Sequence, residues 1–153
     1  MTEKTDNAEL LFPYLNEVMI LAQLVTNTFE RLVPEGMTMA QFGVLNHLCR
    51  LGISQAPTEI ARVMQVRKST MTSTLGTLLR AGYIVIGPNQ KDGRAKIVSV
   101  TAKGREARAT AIDRLKPELM AISALLPEGM LASSMQQLRR LRKLMDERRD
   151  ALV

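Results

Sequence analysis

The stretch PTEIARVMQVRKSTMTSTLGTLLRAGYIVIGPNQKDGRAKIVSVT, residues 57–101, decides the fold. Pro57 suits a first helical position, and Ile60, Ala61 and Met64 give a short helix after it. Residues 65–67 form a tight connection. Met71, Leu75 and Leu78 recur at helical spacing, which predicts a longer helix from Lys68 to Ala81, ended by Gly82. The period then changes from 3.6 to strand-like. Tyr83 to Ile86 and Lys96 to Val100 are rich in β-branched residues, and the loop Gly87 to Ala95 between them holds Pro88, Asn89 and the turn-forming pair Asp92-Gly93. That spacing predicts a hairpin with a basic tip.

Working outward, Thr38 and Gln41 have the spacing of a capping box, with Met37 and Phe42 placed as a hydrophobic staple, so a helix is expected from there to about Leu51. Gly52 to Ala56 are expected to be loop, and Ala56 is a weak residue for a helix cap. Upstream, Leu11, Leu15, Val18, Ala22, Val25, Phe29 and Leu32 recur at steps of four and three, with Leu10, Tyr14, Leu21 and Leu24 as a second row. One long helix over 8–33 with two apolar sides is predicted, closed by Pro34, Glu35 and Gly36. Downstream, Thr101 can cap a fifth helix carrying Ile112, Leu115, Leu119, Ile122 and Leu126, which Pro117 is expected to kink or divide. Pro127 to Gly129 break the chain before a last helix with Leu131, Met135, Leu138, Leu141 and Met145 on one face. The organisation expected is a single domain, 1–153, with a lobe at 38–104 flanked by helices at 8–33 and 105–150. The flanking helices have more apolar surface than a small lobe covers.

The chain has 153 residues, 46% apolar and 3% aromatic, and a formal charge of +6. Leu, Ala and Met dominate, which favours helices packed on helices over a large sheet. The charge is localised. Between Gln55 and Arg105, Arg62, Arg67, Lys68, Arg80, Lys91, Arg94, Lys96, Lys103 and Arg105 oppose only Glu59 and Asp92, a net +7, while the remainder is net −1. Confinement to one third of the chain suits a phosphate footprint better than a generally basic surface. A single cysteine, Cys49, excludes an internal disulfide, and no run was expected to reach the length of a membrane span, so the protein is expected to be cytoplasmic.

Short helix, tight turn, longer helix and basic hairpin is the layout of a winged helix-turn-helix, whose second helix enters the major groove of double-stranded DNA. With Met71, Leu75 and Leu78 facing in, Ser69, Ser73, Gly76, Thr77 and Arg80 fall on the outer side and Thr70 and Thr72 flank it. Small hydroxyl side chains allow close approach to the groove floor, and Arg67 and Lys68 can reach the backbone. No long Arg, Asn or Gln stands in the middle of that face, so shape readout is expected to contribute. Arg94, between Asp92 and Lys96 at the hairpin tip, is placed to enter a minor groove. The expected contact set is Arg67, Lys68, Ser69, Thr70, Thr72, Ser73, Thr77, Lys91, Arg94 and Lys96.

These residues carry a resemblance. Asp92-Gly93-Arg94-Ala95-Lys96-Ile97-Val98-Ser99-Val100-Thr101, followed by Ala102-Lys103-Gly104, is similar to the wing signature of the MarR family of bacterial transcription regulators. Val66 to Leu75, followed by Leu78, Leu79, Gly82, Tyr83 and Ile84, resembles that family's recognition segment in register. Arg67 departs from a slot usually held by a capping Ser or Thr, and Ser73 from one that is often Arg. The resemblance implies a homodimer interlocked through its first and last helices, a pseudo-palindromic operator, and often a small organic effector bound between those helices and the DNA-binding lobe. The regulator is usually a repressor.

Two other functions compete with that one. An architectural DNA binder without an effector fits the shortage of long base-reading side chains. A thiol redox sensor would act through Cys49, although Cys49 among Leu45, Leu48 and Leu51 is first expected to be a small buried residue. Met19, Met39, Met64 and Met120 are candidates for an adaptable pocket, with plain core as the default. His47, the only histidine, cannot build a metal site alone. The cluster Arg139, Arg140, Arg142 and Lys143 is mixed with acids and is expected to be a solvated helix face. No catalytic constellation, metal site or cofactor motif can be nominated, so an enzyme is not expected.

Overall fold

The computed structural model describes residues 7–33, 36–89 and 95–150. Six helices and one hairpin follow in the order α1 (Asn7–Leu32), α2 (Met39–Leu51), α3 (Pro57–Val63), α4 (Lys68–Arg80), β1 (Ile84–Pro88), β2 (Lys96–Val100), α5 (Ala102–Ser123) and α6 (Met130–Asp150). The fold is mainly helical with a small antiparallel hairpin, and the chain divides into two compact units, Met1–Leu115 and Lys116–Val153.

In the first unit, one core joins α2, α3, α4 and the hairpin. Val44, Leu45 and Leu48 meet Ile60 and Ala61, then Met71, Leu75 and Leu78, and finally Ile84 and Val98, all buried. Each large aliphatic side chain so enclosed contributes roughly 2 kcal/mol of burial. A smaller cluster adjoins this core through Met37, which packs against both. Phe29 of α1 meets the Phe42 ring at a centroid distance of 4.8 Å, alongside buried Val33 and Ala111. Met37, Met39 and Leu115 pack around it. Met64 joins the first core instead, and Met19 and Met120 are exposed, so the four methionines do not share one lining.

Local signals set most boundaries. Gln41 N–H donates to Thr38 Oγ1 at 3.3 Å while Thr38 N–H donates to Gln41 Oε1 at 3.1 Å, completing the capping box that starts α2. The weak cap at Ala56 is compensated: its N–H donates to Glu59 Oε2 at 3.1 Å, which closes half of such a box. Both ends of the α3–α4 pair finish in Schellman motifs. At the end of α3, Val66 N–H reaches Ala61 O and Gln65 N–H reaches Arg62 O. At the end of α4, Tyr83 N–H reaches Leu78 O and Gly82 N–H reaches Leu79 O. The left-handed position is held by Gly82 (φ +74) in the second motif and by Gln65 (φ +59) in the first.

Four expectations need correction. Residues Gly52 to Ala56 are not simply loop, because Gln55 exchanges two backbone hydrogen bonds with Val98 and adds a one-residue third strand beside β2. β1 begins at Ile84 and runs through Pro88, which lies opposite Lys96 on a two-stranded ribbon where the missing N–H breaks no inner ladder. α5 is not divided at Pro117, and it ends at Ser123, short of Leu126. Pro117 is exposed, so it lies on a helix face open to water. Cys49 is half-buried rather than buried and lines an open cleft of about 200 Å³ with Arg105.

One further departure concerns α1. By length and composition it is apolar enough to cross a membrane, contrary to the expectation that no run reaches that length. Its hydrophobic side chains are nevertheless unevenly placed: Phe29 is 1% exposed near its C-terminal end, whereas Leu21, Leu24 and Val25 are 50% exposed or more. In the second unit, Leu119, Met120, Leu131, Met135 and Met145 of α5 and α6 are likewise exposed.

Candidate nucleic-acid interface

The candidate surface is built on α4. Met71, Leu75 and Leu78 are 1–3% exposed and fix one side of the helix to the core. The opposite side is polar. Ser69, Thr70, Thr72 and Ser73 are exposed and Thr77 is half-buried, so the structure brings these five hydroxyls together on one helix. Lys68 is the first helical residue and Arg67 its N-cap, both exposed. Lys96 opens β2 and is exposed. Lys91, Asp92 and Arg94 lie outside the described residues.

Hydrogen bonding divides the hydroxyls into two groups. Thr72 donates to Lys68 O at 2.9 Å, Thr74 to Thr70 O at 3.1 Å and Thr77 to Ser73 O at 3.3 Å. Such back-bonding engages the hydroxyl hydrogen and leaves oxygen lone pairs and a methyl group facing outward. The N-terminus of α4 has the reverse character. Arg67 is extended (φ −64, ψ 151) and supplies no side-chain cap, so the first N–H groups of α4 stand open beside two cations. That is the chemistry of a phosphate contact.

Two cations of the basic third have structural partners instead. Lys103 Nζ donates to Ala81 O at 2.8 Å and lies 5.5 Å from the Tyr83 ring centroid. Arg105 Nη1 donates to Val100 O at 2.9 Å. Thr101 completes the joint by donating to Gly82 O at 2.7 Å while accepting from Gly104 N–H at 3.0 Å. The Thr101-Ala102-Lys103-Gly104 segment therefore ties the end of α4, the root of the wing and the start of α5 together. His47 is held to Gln55 at 2.7 Å, a structural position at the junction of α2 with the third-strand residue. On α6, Lys143 and Arg149 pair with Glu147 at 3.8 Å and Asp146 at 3.6 Å, as a solvated face does.

Reasoning from sequence placed Arg80 on the outer side but left it out of the contact set. Its guanidinium lies back along α4, with Nη2 donating to Thr77 Oγ1 at 3.0 Å. The available signal was Gly76, four residues earlier, which leaves room for it.

A short helix, a Schellman turn, an outward-facing polar helix and a wing define a winged helix-turn-helix. Residues 35–95 match the MarR family. Among curated proteins, the transcriptional activatory protein BadR of Rhodopseudomonas palustris is 30% identical over 73 residues, 46% of this chain and 42% of BadR. The match thus spans less than half of that relative. Among solved structures, a mutant MarR from E. coli complexed with operator DNA has a TM-score of 0.75 at 22% identity, covering 90% of this chain and 99% of that one. The PcaV transcriptional regulator of Streptomyces coelicolor, in complex with its natural ligand, has a TM-score of 0.71 at 20% identity, covering 94% and 96%. These two likenesses establish the fold.

Proposed function

We propose that the chain is a transcriptional regulator that binds double-stranded operator DNA as a homodimer in the cytoplasm, with α4 in the major groove. The observation that carries this is the two-sidedness of α4: its apolar stripe is buried while an uncapped, cationic N-terminus and a row of small hydroxyls face out. Arg67 and Lys68 contact phosphate; Ser69, Thr70, Thr72, Ser73 and Thr77 approach the bases; Lys91, Arg94 and Lys96 supply the wing contact. The solved MarR complex with operator DNA supports the same use of the fold.

Helices at 8–33 and 105–150 join two copies, and a small organic effector acts by favouring a dimer in which the two α4 helices no longer match the half-site spacing. The ligand complex of PcaV supports an effector of this kind. Repression is the first direction of control. Activation is the second, favoured by the activatory relative BadR, and the choice depends on where the operator lies relative to the promoter.

The test is footprinting on genomic fragments upstream and downstream of the gene, followed by transcription in vitro from a protected promoter. One discrete palindrome supports the proposal and the change in transcript fixes the direction. Uniform coverage of all fragments would replace it with an architectural binder.

A further inference from the structure

The outward face of α4 has no long side chain rooted in its middle, since positions 69, 70, 72, 73, 76 and 77 are Ser, Thr, Thr, Ser, Gly and Thr. The structure fills that gap from the last turn of the helix. Arg80 Nη2 donates to Thr77 Oγ1 at 3.0 Å, and Nη1 lies 3.5 Å from the point where a Cβ on Gly76 would stand. The guanidinium therefore lies flat along the helix over Gly76 instead of extending beyond the C-terminus. Thr77 is itself fixed, because its hydroxyl donates to Ser73 O at 3.3 Å and so turns its oxygen lone pairs toward the arginine.

We propose that Arg80, folded back over Gly76 and held by Thr77, is the guanine-reading residue of this helix. One of its five N–H groups is engaged by Thr77, and the remaining four include pairs with the fork geometry that fits the O6 and N7 acceptors of guanine in the major groove. Thr77 restricts the arginine before DNA arrives, so less side-chain freedom is lost on contact. The Thr72 and Thr77 oxygens, with their hydrogens held by the backbone, can only accept, and guanine presents acceptors on that edge. Arg80 thus supplies a paired donor, which single hydroxyls such as Ser69, Thr70 and Ser73 cannot. A simpler role, complementing the negative end of the helix dipole, needs only a charge in the last turn and predicts no base preference.

This proposal rests on the operator-binding function proposed above. It is tested by selecting bound duplexes from random DNA with the full chain, in the wild type and in Arg80→Ala, Arg80→Lys and Thr77→Val. Thermal unfolding of each variant confirms that it is folded. The wild type is expected to select guanine at one position per half-site. Arg80→Ala loses that preference by about tenfold to a hundredfold at that position alone. Arg80→Lys loses it as well while keeping the salt dependence of binding, because charge survives and the fork does not. Thr77→Val weakens the preference with the charge intact. An unchanged motif in Arg80→Ala overturns the proposal. So does a uniform loss over all sequences with the salt slope lower by about one, which marks a phosphate contact. If the wild type selects no motif, operator binding itself falls and the reading of Arg80 falls with it, a result distinct from the other two.

Discussion

Gly104 has the least room for a side chain of the described glycines. A Cβ there would stand 2.1 Å from Tyr83 O and 2.9 Å from Val100 Cγ1; Tyr83 O already accepts from Thr101 N–H, and Val100 O accepts from Arg105 Nη1. Neither a carbonyl oxygen nor the root of β2 can retreat without breaking that joint. Gly104→Ala is therefore expected to destabilise the fold by about 3 kcal/mol, at the upper end of overpacking costs, measured by denaturant unfolding; a loss under about 1 kcal/mol would mean the joint is compliant. Gln65 presents the opposite case. It holds φ +59 in a Schellman turn that glycine usually fills. Gln65→Gly is expected to raise stability by about 0.5–1 kcal/mol, since relief of the left-handed backbone outweighs the added freedom of the unfolded chain. A fall in the unfolding midpoint would refute this.

At the scale of elements, α4 trades stability for an open end. Arg67 occupies its cap with the right backbone angles and no capping side chain. Arg67→Ser is expected to stabilise the helix by about 1 kcal/mol, because serine accepts from the first-turn N–H groups. The same change should weaken operator binding and lower the slope of log K against log salt by about 0.9, one phosphate equivalent. Calorimetry and a salt titration check the two halves independently, and a variant both less stable and equally tight would contradict both. This pairing also explains what the sequence made legible. Thr38 with Gln41, Pro57 and Gly82 are caps whose chemistry is local, so α2, α3 and α4 could be placed within a residue or so. Gln55 was not legible, since a one-residue bridge has no period to detect. Pro117 left open whether α5 would divide, because the effect of a helical proline depends on how its surroundings satisfy the backbone, which spacing does not reveal. Arg80 was seen as outward but not as folded back, because that placement needs Gly76 and Thr77 together.

At the scale of the whole chain, charge and hydrophobicity occupy different places. The net +7 lies between Gln55 and Arg105, while the largest exposed apolar side chains lie on α1 in the first unit and on α5 and α6 in the second. Leu21 at 57% and Leu24 at 59% exposure put large aliphatics on a helix face without cover, and in the function proposed above a second copy of the chain is what covers them. For the proposed dimer, converting Leu21 and Leu24 to Glu would place like charges across its two-fold interface and is expected to give monomers by sedimentation at micromolar concentration. The buried core of the first unit does not include either residue, so the helical content should be retained. Each monomer keeps its own α4, and what it loses is the second, tethered contact. Affinity for a full operator should then fall by about 100-fold or more, the usual gain from linking two sites, while affinity for an isolated half-site changes little. A double variant that remains dimeric would move the interface off α1, and one that is monomeric yet binds the full operator undiminished would show that the two half-sites are filled independently.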